Sequence, residues 1–132
     1  MAPPFLDTNI LIYAVSRDQR ADIARLILRR PFVISVQALN EMANTCLRKL
    51  KMNSDETRDA VAQIRTLATS IVDVDIDLHI RALDVHERWK FSFYDSLMLS
   101  AALRSGCVEF LSEDMQHGLV VDEDLTIRNP FQ

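Results

Sequence analysis

The chain has 132 residues, 48% hydrophobic and 26% charged, the balance of one water-soluble globular domain with one core. No run approaches the roughly 18 apolar residues of a membrane helix, and Met1-Ala2-Pro3-Pro4 lacks the basic start and apolar centre of a signal peptide, so a cytoplasmic protein is expected. The net charge of −4 excludes a protein that grips nucleic acid by bulk positive charge; a site that binds divalent cations is not excluded, because the metal reverses the local sign.

In chain order, Phe5-Leu6 predicts a short first strand, and Asn9 to Val15 a brief apolar helix. Asp18 is placed to cap a second helix with Ile23, Ala24, Ile27 and Leu28 on its apolar side, ended by Pro31. Phe32-Val33-Ile34 predicts strand two. Ser35 then caps a helix whose expected buried face is Val36, Leu39, Ala43, Cys46, Leu47 and Leu50. A helix from Asn53 or Ser54 follows, with Ala60, Val61, Ile64, Leu67 and Ala68 as its stripe. Ile71-Val72-Asp73-Val74 predicts strand three, and Asp75 caps a helix aligning Leu78, Ala82, Val85 and Trp89. Ser92 to Asp95 has capping-box spacing and opens a helix to about Arg104 that is apolar nearly all round, hence buried, with Gly106 as its stop. Glu109-Phe110-Leu111 predicts strand four, and Leu119-Val120-Val121 and Leu125-Thr126-Ile127 two more strands around Asp122-Glu123-Asp124. Cys46 and Cys107 lie in apolar surroundings and read as small buried hydrophobes.

Strands alternating with helices imply a parallel sheet covered on both faces, in which ligands bind beyond the carboxyl ends of the strands. Four acids fall where that rim is expected. Asp7 closes strand one and Asp114 follows strand four. Asp95 stands in the first turn of the buried helix, and Glu41 about two turns into the helix after strand two, on a face shared with Gln37, Asn44 and Arg48. A carboxylate taken out of water costs several kcal/mol or more unless it is paired or bound to metal. Taken singly, Asp7 and Asp114 could be caps after strands, Asp95 the partner in a capping box and Glu41 a solvated charge. Taken together they suit one or two hard cations such as Mg²⁺ or Mn²⁺, which prefer oxygen ligands. Such a metal lowers the pKa of a bound water and stabilises charge on a phosphate. Thr8, Asn9 and Ser112 stand close enough in sequence to orient these carboxylates.

Several neighbours compete for roles. Glu113 adjoins Asp114 and could be a fifth carboxylate or a solvated turn charge. His117 reads as a turn-stabilising residue, and His79 and His86 as surface residues on an amphipathic helix. Arg17, Arg20, Arg48, Lys49, Lys51 and Lys90 are candidate phosphate contacts. There is no phosphate-binding glycine loop, zinc spacing or nucleophile elbow.

Phe5 to Leu11, Leu39-Asn40-Glu41, Phe91 to Leu97, and Leu111 to Gly118 with Asn129-Pro130-Phe131 make the sequence resemble the PIN-domain ribonucleases, most of all the VapC-type toxins of bacterial toxin–antitoxin pairs. The resemblance implies a three-layer α/β/α domain over 1–132, with a central parallel sheet ordered 3-2-1-4-5. It implies a Mg²⁺- or Mn²⁺-dependent endoribonuclease with Asp7, Glu41, Asp95 and Asp114 as its acidic tetrad. It further implies an RNA substrate, a homodimer, and a cognate antitoxin that silences the site. Asp114 rather than Glu113 takes the family's aspartate position. The rival readings are a non-catalytic PIN-like module that recognises a protein partner, and an aspartyl phosphatase or phospho-receiver. The latter needs an aspartyl nucleophile and usually a Lys or Thr/Ser late in the site, and the last lysine is Lys90.

Overall fold

The computed structural model describes residues 2–132. Its strands are β1 (Phe5–Leu6), β2 (Val33–Ser35), β3 (Ser70–Val72), β4 (Glu109–Leu111), β5 (Val120–Val121) and β6 (Leu125–Arg128). Its helices are α1 (Thr8–Val15), α2 (Ala21–Leu28), α3 (Val36–Arg48), α4 (Ser54–Leu67), α5 (Ile76–Trp89) and α6 (Phe93–Arg104). The strands form one sheet in the order β3-β2-β1-β4-β6-β5. β1 lies in parallel between β2 and β4 through Phe5↔Val33 and Phe5↔Phe110. The winding runs from β1 to β2 and β3 on one side and from β1 to β4 on the other, so the carboxyl ends of β1 and β4 flank the switch point.

The expected α/β sandwich of helices and a mostly parallel sheet is present, with one correction to the strand order. β6, not β5, takes the fifth place, parallel to β4, and β5 is added outside it as an antiparallel edge. Only Asp122-Glu123-Asp124 separates the two, and a parallel crossover needs a dozen or more residues, so β5 and β6 can only form a hairpin. Asp122 and Glu123 both take positive φ, +50° and +67°, as such a tight turn demands. Asp122 is held there by Trp89 Nε1 at 2.9 Å and Arg88 Nη2 at 2.6 Å.

The core is filled by β1, β2, β4, β6 and α6 together with the inner faces of α1, α3 and α5, and Phe5 and Phe110 stack at 5.5 Å between neighbouring strands. α6 is buried continuously from Ser96 to Ala102, as a helix apolar all round must be. It ends in a left-handed Gly106 (φ +73°), with the Gly106 and Cys107 amides donating to the Leu103 and Ala102 carbonyls. Cys46 and Cys107 are free thiols in the core. No described helix is long and apolar enough to cross a membrane.

Three local expectations are corrected. Asp18 does not cap α2: the N-cap is Arg20, and Asp18 instead accepts from the Arg20 backbone and guanidinium. The buried stripe of α3 is Ala38, Met42 and Cys46, while Leu47 is exposed. Ser35, the N-cap of α3, accepts from the Ala38 amide and donates its hydroxyl to Met98 Sδ at 3.1 Å. Ile23 and Leu67, assigned to apolar stripes, are exposed as well. On α4 the buried positions are Thr57 and Ile64.

Candidate active site

Asp7 leaves β1 and caps α1, its Oδ1 accepting from the Thr8 amide at 2.8 Å. Its Oδ2 accepts from Ser112 Oγ at 2.8 Å, and Asn9 Nδ2 lies 3.5 Å away. The side chain is 7% exposed. Burial pushes the Asp7 carboxyl up to about 7, the Ser112 hydroxyl and Thr8 amide pull it back, and the charges of Asp95 and Glu41 raise it again.

Glu41 projects from α3 and is held at both oxygens. Thr8 Oγ1 donates to Oε1 at 2.9 Å and Gln37 Nε2 to Oε2 at 3.1 Å. Asp95 stands in the first turn of α6, where Ser92 caps the helix by accepting from the Asp95 amide at 3.1 Å. Burial raises the Asp95 carboxyl; the Ser92 hydroxyl opposes that, and the charges of Glu41 and Asp114 add to it. Both Asp7 and Asp95 therefore sit at positive helix ends, which favour their ionised forms. Asp114 follows β4 and is exposed. Asn9 Nδ2 donates to its Oδ2 at 3.1 Å, and its amide donates to Ser112 Oγ at 3.2 Å.

All four acids open on one cavity of about 310 Å³, lined also by Thr8, Asn9, Ile12, Asn44 and Thr45. A roomier hollow of about 530 Å³ beside Asp59, Gln63 and Leu67 gathers no such set of polar groups. Among the described residues none of the four acids forms a salt bridge, whereas Asp18, Asp75, Glu109, Glu113 and Asp122 all do. What sets the four apart is their convergence on one cavity.

The donor set is oxygen throughout, which fits Mg²⁺ or Mn²⁺. Among the described residues no three Asp, Glu, His or Cys side chains stand close enough to hold an ion directly. Mg²⁺ commonly keeps several waters and can meet carboxylates through them.

Thr8, Asn9 and Ser112 all contact the acids, as expected from their places in sequence. Glu113 does not enter the cavity; its carboxylate turns away to Tyr13 and Arg20. Arg20 is thereby corrected as a phosphate contact, since its guanidinium is taken up by Asp18 and Glu113. Arg17, Arg48, Lys49, Lys51 and Lys90 are exposed and outside any ion pair among the described residues. His117 stabilises a turn, accepting from the Asn129 amide at 2.9 Å. His86 Nδ1 bonds the Phe91 carbonyl, and His79 packs against Phe93 at 5.3 Å. Ile12 and Thr45 were not singled out in the sequence; Thr45 lies one helical turn after Glu41 and Ile12 one turn after Thr8, the spacing that marks a shared face.

The PIN domain family model matches residues 5–119. The chain belongs to the PIN-domain family. The fold of this PIN domain also matches solved structures. A toxin–antitoxin complex from Klebsiella pneumoniae aligns at TM-score 0.73 and 19% identity over 98% of both chains. VapBC2 from Rickettsia felis, bound to a DNA fragment from its promoter, aligns at TM-score 0.70 and 15% identity over 97% of this chain and 98% of that one. VapC20 of Mycobacterium tuberculosis, described as a sarcin-ricin loop cleaving toxin, aligns at TM-score 0.65 and 22% identity over 80% of this chain and 85% of that one. Comparison with curated protein sequences finds no match.

Proposed function

We propose that this PIN domain is a divalent-metal-dependent endoribonuclease that hydrolyses RNA phosphodiester bonds, and that it acts as a VapC-type toxin restrained by a cognate antitoxin. The observation that carries the reading is the set of four carboxylates, none of them ion-paired among the described residues, delivered to one cavity from β1, α3, α6 and the turn after β4. Asp7, Asp95 and Asp114 would hold Mg²⁺ or Mn²⁺, and Glu41 would hold it or position the attacking water. The bound metal supplies an activated water and neutralises charge on the phosphate.

The chain's own residues prepare that site. Ser112 and the Thr8 amide hold Asp7 by both oxygens, so that it presents a fixed carboxylate despite its burial. Thr8 and Gln37 hold Glu41 similarly, leaving lone pairs free to orient a water or take its proton. Asn9 bridges Asp114 to the Asp7 side of the cavity. Four unpaired carboxylates in one cavity would repel an RNA phosphate there, and a bound divalent cation would offset that repulsion. The antitoxin assignment draws on the Klebsiella structure, described as a toxin–antitoxin complex, and on the likeness to VapBC2 of Rickettsia felis. A basic antitoxin side chain in the acid pocket would replace the missing counter-charge.

The test is cleavage of a mixed RNA pool by the purified protein with Mg²⁺, and its arrest by a chelator. Partner binding with no metal-dependent cleavage would instead establish a non-catalytic recognition module.

A further inference from the structure

Asp114 is the exposed member of the four acids, and Asn9 is the side chain that holds its carboxylate. Its neighbour Glu113 is anchored through one carboxylate oxygen and its backbone. Tyr13 Oη donates to Glu113 Oε1 at 2.7 Å, and Arg20 Nη1 reaches the same oxygen at 2.5 Å. The Glu113 amide faces Asn9 Oδ1 at 3.4 Å, and its carbonyl faces Asn129 Nδ2 at 3.5 Å. Arg20 is itself fixed, bonded through Nε and Nη2 to Asp18 at 2.7 Å each. Its guanidinium lies over the Tyr13 ring at 4.2 Å, and Phe131 packs against that ring edge-on at 5.4 Å.

We propose that Tyr13, Arg20 and Glu113 form a clamp that turns Asp114 into the acid cavity, so that Arg20 and Tyr13 are positioning residues for a metal-binding carboxylate. The proposal rests on the reading of Asp114 as a metal ligand. Glu113 and Asp114 follow one another after β4, and the structure sends one carboxylate away from the cavity and the other into it. Pinning Glu113 outward leaves Asp114 the inward place. Releasing it frees the turn and lets a second carboxylate compete for that place. Burial cannot do this job, because Asp114 is exposed; its carboxylate has one side-chain bond, from Asn9, and its amide one, to Ser112 Oγ, which leaves the orientation of the turn to be shared with the anchored Glu113.

The sign of the effect separates positioning from simple electrostatics. Arg20 is a cation near a cation site, so removing its charge alone should tighten metal binding. Loss of positioning weakens it. The experiment is calorimetric titration of Mn²⁺ into wild type, Arg20→Ala, Tyr13→Phe and Asp114→Ala, and into the Arg20→Ala/Asp114→Ala double variant. Tyr13→Phe removes only the hydroxyl and keeps the ring under Arg20, so it guards against a folding defect in Arg20→Ala. Both clamp variants should bind Mn²⁺ about 10–100-fold more weakly than wild type, and Arg20→Ala should add little once Asp114 is gone. Tighter or unchanged binding in both variants, or the same loss with and without Asp114, overturns the clamp. A wild type that neither binds Mn²⁺ nor cuts RNA overturns the functional reading itself and takes the clamp with it.

Discussion

Thr8 and Glu41 are 33 positions apart in sequence, yet Thr8 Oγ1 donates to Glu41 Oε1 at 2.9 Å. That bond joins the start of α1, just beyond Asp7, to the α3 wall of the cavity. It makes Glu41 a directed group rather than a solvated helix charge. Thr8→Val keeps the shape and removes the donor. RNA cleavage is expected to fall about 10-fold or more with the fold intact by circular dichroism. Unchanged cleavage would show that Glu41 needs no orientation from Thr8.

Asp7 gives a pH dependence of stability with a definite sign. Its carboxyl titrates at 3.8 when solvated and at about 7 in the fold, so between those values the folded chain holds more protons than the unfolded one. Stability from this group is therefore present at low pH and is lost as pH rises from about 4 through 7, by an amount on the order of a few kcal/mol. In metal-free buffer, Asp7→Asn should melt above wild type at pH 8, and the gap should close as pH falls toward 4. A gap independent of pH would mean that Asp7 is ionised throughout.

Ser112 donates to Asp7 Oδ2 at 2.8 Å and lowers its pKa against the pull of burial. Ser112→Ala removes that help, so Asp7 should ionise only at higher pH. The acid limb of the kcat/KM profile should move upward, with a greater loss of cleavage at pH 6 than at pH 8.5. A uniform loss at all pH values would assign Ser112 a packing role only.

Phe110 lies on β4, fully buried and stacked on Phe5 of β1. Phe110→Ala should cost about 3–5 kcal/mol, read as a lowered denaturation midpoint with an unchanged slope. Since β4 carries Ser112 and Asp114 into the cavity, the loss of cleavage at a given temperature should track the loss of folded protein.

The rim of acids was legible in the sequence because strands and helices that must be buried cannot end on charges without a reason. Asp7 after Phe5-Leu6 and Asp95 ahead of Leu97-Met98-Leu99 carried that signal, and α6 is buried as its all-round apolarity required. The strands were also locatable, but not their final partners. Val120-Val121 and Leu125 to Arg128 look alike as sequence. Only the shortness of the turn between them forces the hairpin that puts β6 beside β4. The α3 stripe was misplaced because its apolar residues wrap more than one face, and only tertiary packing selects Ala38, Met42 and Cys46 as the buried ones. Glu113 and Asp114 were not separable by type or spacing. What separates them is Arg20 and Tyr13, some 100 positions away.

Four convergent acids that hold a metal for RNA hydrolysis must each be needed for cleavage. The most direct measurement of that need is the rate of RNA cleavage at saturating Mg²⁺ by Asp7→Asn, Glu41→Gln, Asp95→Asn and Asp114→Asn, with the exposed Asp124→Asn as comparator. Each of the four should lose on the order of 100-fold or more while still folding, and Asp124→Asn should cut as wild type does. Wild-type rates in Asp7→Asn and Asp95→Asn, or cleavage that persists in excess chelator, would contradict it.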